Sequence, residues 1–436
     1  MNKYPFLSII LIFIFIIGCS LNKNSKFWTN TDIVNNKKII NYQELYPREE
    51  ALKKEFNSTL KINLDKINFN QSNKNGNFNS DSLFNFSGNL KKSSSFGFKK
   101  IKNFRQYEPE VLFLNDGIIF FDNLGSILRF NNKSELIWKK NYYSKSQKKQ
   151  NPILQFATNG KFLIIADNIA KYYILDINNG KLIWSKDNLA PFNSQIKIYK
   201  DKFFIIDFSN TLRCFSIKNG KELWNIKTEN SLIRSQKKLS MVIVEEKIYF
   251  NNSIGDITAV NLSNGELLWQ IPTQSNLIYE SAFSLETSDL ITDGKNLFFS
   301  NNKNKLFSID INNGIIIWEN KVNSSLRSII IENYLFSISQ EGYFIVIDKV
   351  SGNIIRVNDA FKSFKLKERK NIKPKGFVVG QDKIYISTSN GKLLTIDIKS
   401  GKTISVLKID NSTISRPFVK NKNLFLIKDS AIVKLN

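Results

Sequence analysis

The chain of 436 residues carries 63 lysines and arginines against 38 aspartates and glutamates, a formal net charge of +25, and 42% of its residues are hydrophobic. This apolar content is enough for a buried core, which excludes a wholly disordered chain. The sequence has no histidine and two cysteines, Cys19 and Cys214, which excludes Ser-His-Asp and Cys-His catalysis, histidine-ligated metals and a disulfide scaffold.

The first eighteen residues are typical of a secretory leader. Lys3 provides a positive start, and the uncharged run of residues 6–17 is shorter than the about 20 residues of a membrane-spanning helix. Small and aliphatic residues then lead to Cys19, which resembles a bacterial lipobox. We therefore predict a lipoprotein signal peptide over 1–18 and lipidation of Cys19. Ser20 in this position implies a lipid-anchored protein on the periplasmic face of the outer membrane; the alternative is an ordinary leader or signal anchor with an incidental cysteine.

Residues 19–85 are rich in asparagine, lysine and serine, a composition that predicts a mostly flexible tether behind the lipidated cysteine. Two local patterns depart from it. Pro47 followed by acids and then lysines favours a short helix over 46–56, and the alternation over 60–64 favours a brief strand.

The remainder of the chain repeats one motif, Asp-x-x-Asn/Ser-Gly-Lys/Glu-x-Leu/Ile-Trp. The copies occupy residues 131–138, 176–184, 216–224, 261–269, 310–318, 348–356 and 397–405. Their ends are about 45 residues apart on average, the period of a four-stranded propeller blade. The Asp or Asn caps a turn, Asn-Gly or Ser-Gly supplies the positive φ of a hairpin, and the tryptophan can bury against the next blade.

Residues 86–436 accommodate eight such blades, so we predict an all-β, eight-bladed β-propeller. Three strands follow the last motif, at 414–418, 423–427 and 431–435, and a fourth is missing. A strand within residues 84–101 would complete this last blade and close the ring. The alternative is a pair of β-sandwiches with coincidental turns.

The repeated motif is similar to the pyrroloquinoline-quinone-like propeller repeats over roughly residues 86–436. Together with the lipobox, the tether and the blade count, it resembles the BamB family, the lipoprotein subunit of the outer-membrane β-barrel assembly machinery. Residues 415–419 and 423–436 resemble the end of that family's chain. The resemblance implies a non-enzymatic scaffold with no cofactor and no metal, which binds BamA in the barrel assembly complex and aids unfolded outer-membrane protein clients.

The resemblance also implies the partner-binding residues. In this family a leucine-rich stretch ending in arginine follows the third-blade tryptophan, which Leu232, Ile233 and Arg234 match after Trp224. The next loop carries two aspartates in the family. Glu286 matches one of them, and a serine stands at the other.

Two other functions remain open from the sequence. Quinone-dependent dehydrogenases share the repeat, but their sites typically need Ca²⁺, a catalytic aspartate and often a vicinal cysteine pair. Cys214 stands at the strand position of Ile174, Ala259 and Ser308 in other copies, so we predict a small buried core residue there. The second alternative is an envelope propeller that binds another ligand or protein.

The charge of +25 is spread over tether and loops. The sequence has no basic helix and no aromatic RNA-binding signature, so we predict no nucleic-acid partner. Anionic lipid or acidic clients are the partners that such a charge favours.

Overall fold

The structure is a computed structural model that describes residues 54–57, 86, 88–102, 104, 109–229, 235–274 and 285–436. All of these belong to one compact unit, Glu50–Asn436. Within the described residues the chain forms eight antiparallel sheets of four strands, one of them extended by a fifth. The predicted leader, Cys19 and the strand expected over 60–64 lie outside the described residues.

The first four blades follow one another along the chain. Their strands, from the inside of each blade outwards, are β3 (Leu112–Phe113), β4 (Gly117–Phe121), β5 (Ile127–Asn131) and β6 (Leu136–Lys140); β7 (Leu154–Thr158), β8 (Phe162–Asp167), β9 (Lys171–Asp176) and β10 (Leu182–Asp187); β11 (Lys197–Tyr199), β12 (Lys202–Ile206), β13 (Thr211–Ser216) and β14 (Glu222–Lys227); and β15 (Met241–Val244), β16 (Lys247–Asn251), β17 (Ile257–Asn261) and β18 (Leu267–Ile271).

Blades 5 to 8 continue the same order. Their strands are β19 (Ile291–Thr292), β20 (Asn296–Asn301), β21 (Lys305–Asp310) and β22 (Ile316–Asn320); β23 (Ile329–Ile331), β24 (Tyr334–Ile338), β25 (Tyr343–Asp348) and β26 (Ile354–Asp359); β27 (Pro374–Val379), β28 (Lys383–Thr388), β29 (Lys392–Asp397) and β30 (Thr403–Lys408); and β31 (Phe418–Lys420), β32 (Asn423–Lys428), β33 (Ala431–Leu435) and β2 (Lys92–Gly97).

The ring is closed by the strand that the sequence predicts. β2 pairs antiparallel with the final strand β33, with Phe96 opposite Ile432. The side chain of Phe96 is buried and its ring meets the ring of Phe130 in blade 1 edge to face. The eight-bladed propeller is thus confirmed, with its N-terminal strand in the last blade. The predicted strand at 414–418 begins only at Phe418, because Pro417 has no N–H to donate and the Ser415 hydroxyl bonds the neighbouring Arg416 carbonyl.

The core lies between adjacent blades, because the middle strands are buried on both faces while the outermost strands alternate. Ile164 and Ile174 of blade 2, for example, pack with Phe203 and Phe215 of blade 3. Cys214 belongs to the same kind of layer, fully buried and free, as the sequence predicts. Burial raises the pKa of its thiol to about 12, so it remains an unreactive thiol at neutral pH.

The repeated motif joins each blade to the next. In the first complete copy, Asp176 accepts a backbone hydrogen bond from Asn178 at 2.9 Å, and Gly180 turns the chain at φ +69°. Trp184 ends the copy by donating its indole N–H to the carbonyl of Ile217 in blade 3 at 3.0 Å. Its ring lies against Gly220, where an added Cβ would meet the indole at 2.7 Å. Glycine therefore serves two needs at this turn, the positive φ and the space for the tryptophan.

The same inter-blade hydrogen bond recurs at other junctions, although the indole N–H of Trp224, whose ring packs on Gly265, is buried without a hydrogen-bond partner among the described residues. Trp138, Trp269 and Trp318 also donate to a carbonyl in the following blade, at 3.0 to 3.3 Å. In the weaker copy of blade 6, Arg356 replaces tryptophan and its guanidinium donates to the carbonyls of Ile398 and Lys399 in blade 7. The contact is preserved there by a different donor.

One short strand comes from the region predicted as a tether. β1 (Phe56–Asn57) pairs antiparallel with Arg356–Val357 at the outer edge of blade 6. Glu55 supports it by accepting from the ammonium of Lys362 at 3.0 Å. Phe56 therefore lies in a strand rather than at the end of the helix predicted over 46–56.

Two short helices lie in the connections, α1 (Lys145–Lys149), which begins with a capping box from Ser144 to Gln147, and α2 (Leu366–Arg369). No helix in the described part of the chain has the length and apolar character needed to cross a bilayer.

The glycine–tryptophan contact can be tested with Gly220→Ala and Gly160→Ala. Both glycines have positive φ, but an added Cβ at Gly160 meets nothing within 4 Å. The backbone strain costs about 1–2 kcal/mol at either position, and overpacking against Trp184 adds about 1–3 kcal/mol at Gly220 alone. Urea unfolding should show the larger loss for Gly220→Ala. Equal losses would mean that the indole contact does not constrain this turn.

Candidate functional site

The candidate site lies where the linkers between blades meet at one mouth of the central channel. This is an open cavity of about 930 Å³, and its walls include Phe192, Lys237, Leu326 and Pro374 from different linkers and inner strands. A cavity of this size is typical of a binding site. We call this region the channel mouth.

Glu286, one of the predicted partner-binding residues, lies in the wall of the channel mouth and is exposed. Its carboxylate accepts from the Ser325 hydroxyl at 3.0 Å and from the side-chain amide of Gln340 at 3.3 Å. Its backbone exchanges hydrogen bonds with Asn302, of 2.9 and 3.0 Å. These contacts hold the carboxylate in one orientation at the rim.

Leu232, Ile233 and Arg234 lie outside the described residues. The residue that follows them, Ser235, is described, and its hydroxyl donates to the carbonyl of Leu285 at 2.5 Å. Leu285 directly precedes Glu286. The structure therefore joins the end of one predicted loop to the start of the other, through a contact between neighbouring linkers.

Beneath the rim lies a group of charged side chains that the sequence analysis missed, and which we call the ion cluster. Oε1 of Glu110 lies 3.1 Å from Lys238 Nζ, 3.2 Å from Arg416 Nη2 and 3.5 Å from Arg327 Nη2. Asp289 accepts from Arg327 Nε at 2.6 Å. One carboxylate oxygen is thus shared by three cations from three linkers.

The environment of the ion cluster lowers the pKa of both Glu110 and Asp289. Burial alone would raise the pKa of Glu110, but Lys238, Arg416 and Arg327 outweigh burial and lower it well below its usual range. Burial would also raise the pKa of Asp289, but the positive charges of Arg327 and Lys238 outweigh it and lower the pKa below its ordinary value. Both carboxylates are therefore charged at neutral pH.

Close packing against strand β27 places Arg416 in the ion cluster beside Glu110. An added Cβ at Gly376, which has a φ of +146°, would lie 2.4 Å from the Cβ of Arg416. Only glycine allows strand β27 to pass this close. The guanidinium also lies over the ring of Phe418, 4.5 Å from its centroid, a favourable cation–π contact.

The sequence does hold a signal for the ion cluster. Glu110, Asp289, Arg327 and Arg416 each precede the innermost strand of their blade by two residues. Aligned blade by blade, this recurrent charged position points to the channel. The repeated turn motif does not indicate this charged position, because the motif follows the third strand of each blade and the charged residue precedes the first.

Comparison with known proteins gives one family. The family model described as outer membrane protein assembly factor BamB matches residues 124–358, more than half of the chain. A relative with this description from Shewanella oneidensis is 24% identical over 151 residues, which is 34% of this chain and 35% of the relative. The match therefore spans about a third of the relative's length.

Solved structures of several propellers resemble the fold. BamB from Moraxella catarrhalis aligns with a TM-score of 0.63 at 15% identity, over 80% of this chain and all of that one. A europium-containing methanol dehydrogenase aligns with a TM-score of 0.61 at 12% identity, over 79% of this chain and 87% of that one. A quinohemoprotein alcohol dehydrogenase from Pseudomonas putida reaches 0.57 at 10% identity, over 80% and 76%. At these identities the likeness is one of fold.

The ion cluster can be tested with Glu110→Gln. Removing the shared carboxylate charge leaves three cations close together, and since its side chain is 32% exposed we expect a loss of about 1–3 kcal/mol at pH 7. Glu319→Gln is the matched control, because Glu319 pairs only with Lys305 among the ion pairs of the described residues, at 3.1 Å on the surface, and should cost less than about 0.5 kcal/mol. Chemical unfolding measures both.

The same variants give a pH test. Because the folded pKa values of Glu110 and Asp289 are lowered, their stabilisation is complete above the unfolded pKa of about 4 and is lost as the pH falls below it. The free energy of unfolding of the natural chain should therefore fall below pH 4, and less steeply in Glu110→Gln. Parallel pH profiles would contradict the assigned role of Glu110.

Proposed function

The chain belongs to the family of the outer membrane protein assembly factor BamB, and from this premise we propose that it is a non-enzymatic scaffold of the outer-membrane β-barrel assembly machinery. Its partner in this proposal is BamA, the membrane barrel of that machinery. The proposed docking face is the rim of the channel mouth at Glu286, together with residues 232–234, which lie outside the described residues.

The contact between Ser235 and Leu285 is the observation that carries the proposal. It links the two loops that the family resemblance marks for partner binding, although they are about 50 residues apart in the chain. Ser235 and Leu285 are both buried, and the Ser235 hydroxyl donates to the Leu285 carbonyl at 2.5 Å. A rigid support of this kind reduces the ordering that binding would otherwise require.

The chemistry of the rim suits a protein partner. Arg234 can form paired hydrogen bonds with a carboxylate or carbonyl, while Leu232 and Ile233 lose water around it. Glu286 provides an anchored carboxylate, already held by Ser325 and Gln340. An interface of opposite charges beside apolar side chains gives both orientation and affinity.

We propose that unfolded clients bind elsewhere, along the outer edges of the blades. β1 supports this, since it shows an extended segment of the chain pairing with the outer strand of blade 6. Blade 5 exposes Ile315, directly before its outer strand β22, and Ile316 and Ile317 within that strand, 41 to 62% accessible. Such an edge can take an additional strand by backbone hydrogen bonding.

The structural likeness to quinone-dependent dehydrogenases leaves a second candidate. Against it, Cys214 is a buried thiol with a pKa raised to about 12, and no vicinal partner exists because the only other cysteine is Cys19. Absorption spectra of the purified protein decide between the two: a bound quinone with alcohol or sugar oxidation would favour the dehydrogenase. Purification from envelope membranes without BamA would favour an envelope propeller outside barrel assembly.

The proposed lipid anchor is tested by Cys19→Ser. Without the thiol no acyl chains can be attached, so the protein should move from the outer-membrane fraction to the soluble periplasmic fraction. Cys214→Ser is the matched control, because Ser308 fills the equivalent position opposite Trp318 in blade 5. Fatty-acid labelling of Cys19→Ser at the natural level would exclude the anchor at Cys19; retention in the membrane alone would not, because docking on BamA or an uncleaved leader would also hold the protein there.

The docking face is tested by charge reversal at Arg234→Glu and Glu286→Lys. Each should reduce copurification of BamA at least about tenfold, since a lost charged contact at the centre of an interface is worth this much. Glu266→Lys is the control, because Glu266 is exposed in the outer hairpin turn of blade 4. If Arg234→Glu and Glu286→Lys are folded and still recover as much BamA as the natural chain, the docking face lies elsewhere on the protein.

A further inference from the structure

The outer edge of blade 6 is the one edge that carries an additional strand in the described part of the chain. Blade 6 is complete without it, since β23 to β26 already form the four strands that the other blades have. The additional strand β1 comprises only Phe56 and Asn57, which pair with Val357 and Arg356. Because this pairing adds to a finished blade, the architecture of the ring does not explain it.

A small carboxylate site lies at the end of this edge. Glu55 accepts a hydrogen bond from the backbone N–H of Asp359, the last residue of β26, at 3.3 Å. Its other carboxylate oxygen accepts from the ammonium of Lys362 at 3.0 Å. The hydrogen bond with Lys362 lowers the pKa of Glu55, so the carboxylate is charged at neutral pH. Two donors of blade 6 thus converge on one acidic side chain.

The aromatic side chain of β1 faces the side of blade 6 that packs on blade 5. Residues that are directly opposite each other in two paired strands point to the same face of the sheet. Phe56 therefore lies on the face of Val357, which is fully buried in the apolar layer between blades 5 and 6. Phe56 itself remains 48% exposed, so its ring is only partly removed from water.

The contacts of β1 are those of a segment that another strand can replace. The ion pair of Glu55 and Lys362 is open to solvent, with 43% and 71% of the two side chains exposed, and exposed ion pairs contribute little to stability. Two paired residues and a half-exposed ring hold a strand only weakly. The edge of blade 6 thus shows an occupant without a strong hold on it.

We propose that the outer edge of blade 6 binds an extended segment of a client protein in which an acidic residue directly precedes an aromatic residue, and that β1 occupies this site in the absence of the client. This inference rests on the proposed binding of clients along the blade edges, and it names one edge, one motif and one competitor. Backbone pairing provides the affinity. The carboxylate site and the apolar surface beside Val357 select the two side chains.

A competitor in the same chain sets a threshold for clients. A tethered segment acts at an effective concentration in the millimolar range. With an intrinsic Kd of about 0.1 mM, β1 fills about nine-tenths of the sites, and an external segment binds about tenfold more weakly than to an empty edge. The edge is therefore kept covered until a client segment is locally abundant.

A fluorescent peptide that spans residues 52–59 of this chain tests the site, because it contains both the acid and the aromatic residue. Full-length, detergent-purified protein is titrated in its natural form and as the open-edge variant, Glu55→Lys with Phe56→Ser, in which β1 is repelled by Lys362 and lacks its ring. Fluorescence anisotropy should show about tenfold tighter binding to the open-edge variant. A peptide with Glu55→Gln and Phe56→Ala should bind that variant about tenfold more weakly.

Lys362→Glu, introduced into the open-edge variant, tests the carboxylate site. Peptide binding should weaken about tenfold, because an attractive charge contact becomes a repulsive one. Lys408→Glu is the matched control, since Lys408 is an exposed lysine at the end of the outer strand of blade 7, and its effect should stay within about twofold. Thermal unfolding verifies the fold of each protein, and Glu55→Lys alone replaces the open-edge variant if that protein does not fold.

The outcomes separate this site from the functions proposed above. Equal affinity of the peptide for the natural chain and the open-edge variant would overturn the proposal. Binding that Lys362→Glu leaves unchanged would also overturn it, while client binding at other blade edges would stand. No binding to any form would overturn edge binding as a whole.

Two further measurements complete the test. Sedimentation that shows the open-edge variant as a dimer, without peptide binding, would assign the edge to a second copy of the chain and overturn the proposal. Copurification of BamA should be unchanged in the open-edge variant, because the outer edge of blade 6 is not part of the channel mouth. A failure of docking is therefore seen independently of peptide binding.

Discussion

The tryptophan that ends one blade, packed on the turn glycine of the next, is the contact on which the rest of the structure depends. Trp184 shows both parts of it, a ring against Gly220 and an indole N–H bonded to the Ile217 carbonyl. The ring contact sets how closely two blades approach, and the hydrogen bond sets how they are aligned. At the five junctions where a tryptophan packs on the turn glycine, this contact sets the spacing of neighbouring blades, on which the width of the channel and the meeting of the linkers at its mouth depend.

Much of this architecture could be predicted because it is encoded locally. The positive φ of a turn, the alternation of a strand and the tryptophan lie within nine residues, so one copy of the motif describes them all. The closing strand followed from counting strands in the last blade. Arg356 could not be predicted as a tryptophan substitute, because its equivalence depends on reaching the Ile398 carbonyl in another blade.

The candidate site was less accessible to prediction because its residues meet only after the ring has closed. Glu110 and Arg416 are 306 positions apart, and no local pattern relates them. The family resemblance predicted Glu286 as a partner-binding residue, but its hydrogen-bond partners Ser325 and Gln340 became evident only in the structure. Rigid blades thus provide a frame on which linkers of little regularity hold charged groups at one end of the channel.

The central claim is that the channel mouth is the face that docks on the assembly machinery. Site-specific photocrosslinking in cells tests it most directly, with the crosslinker at Gln340 beside Glu286 and, for comparison, at Asn264 in the exposed outer turn of blade 4. The account predicts a crosslink from position 340 to the periplasmic part of BamA and none from position 264. A crosslink to BamA from position 264 but not from position 340 would contradict it.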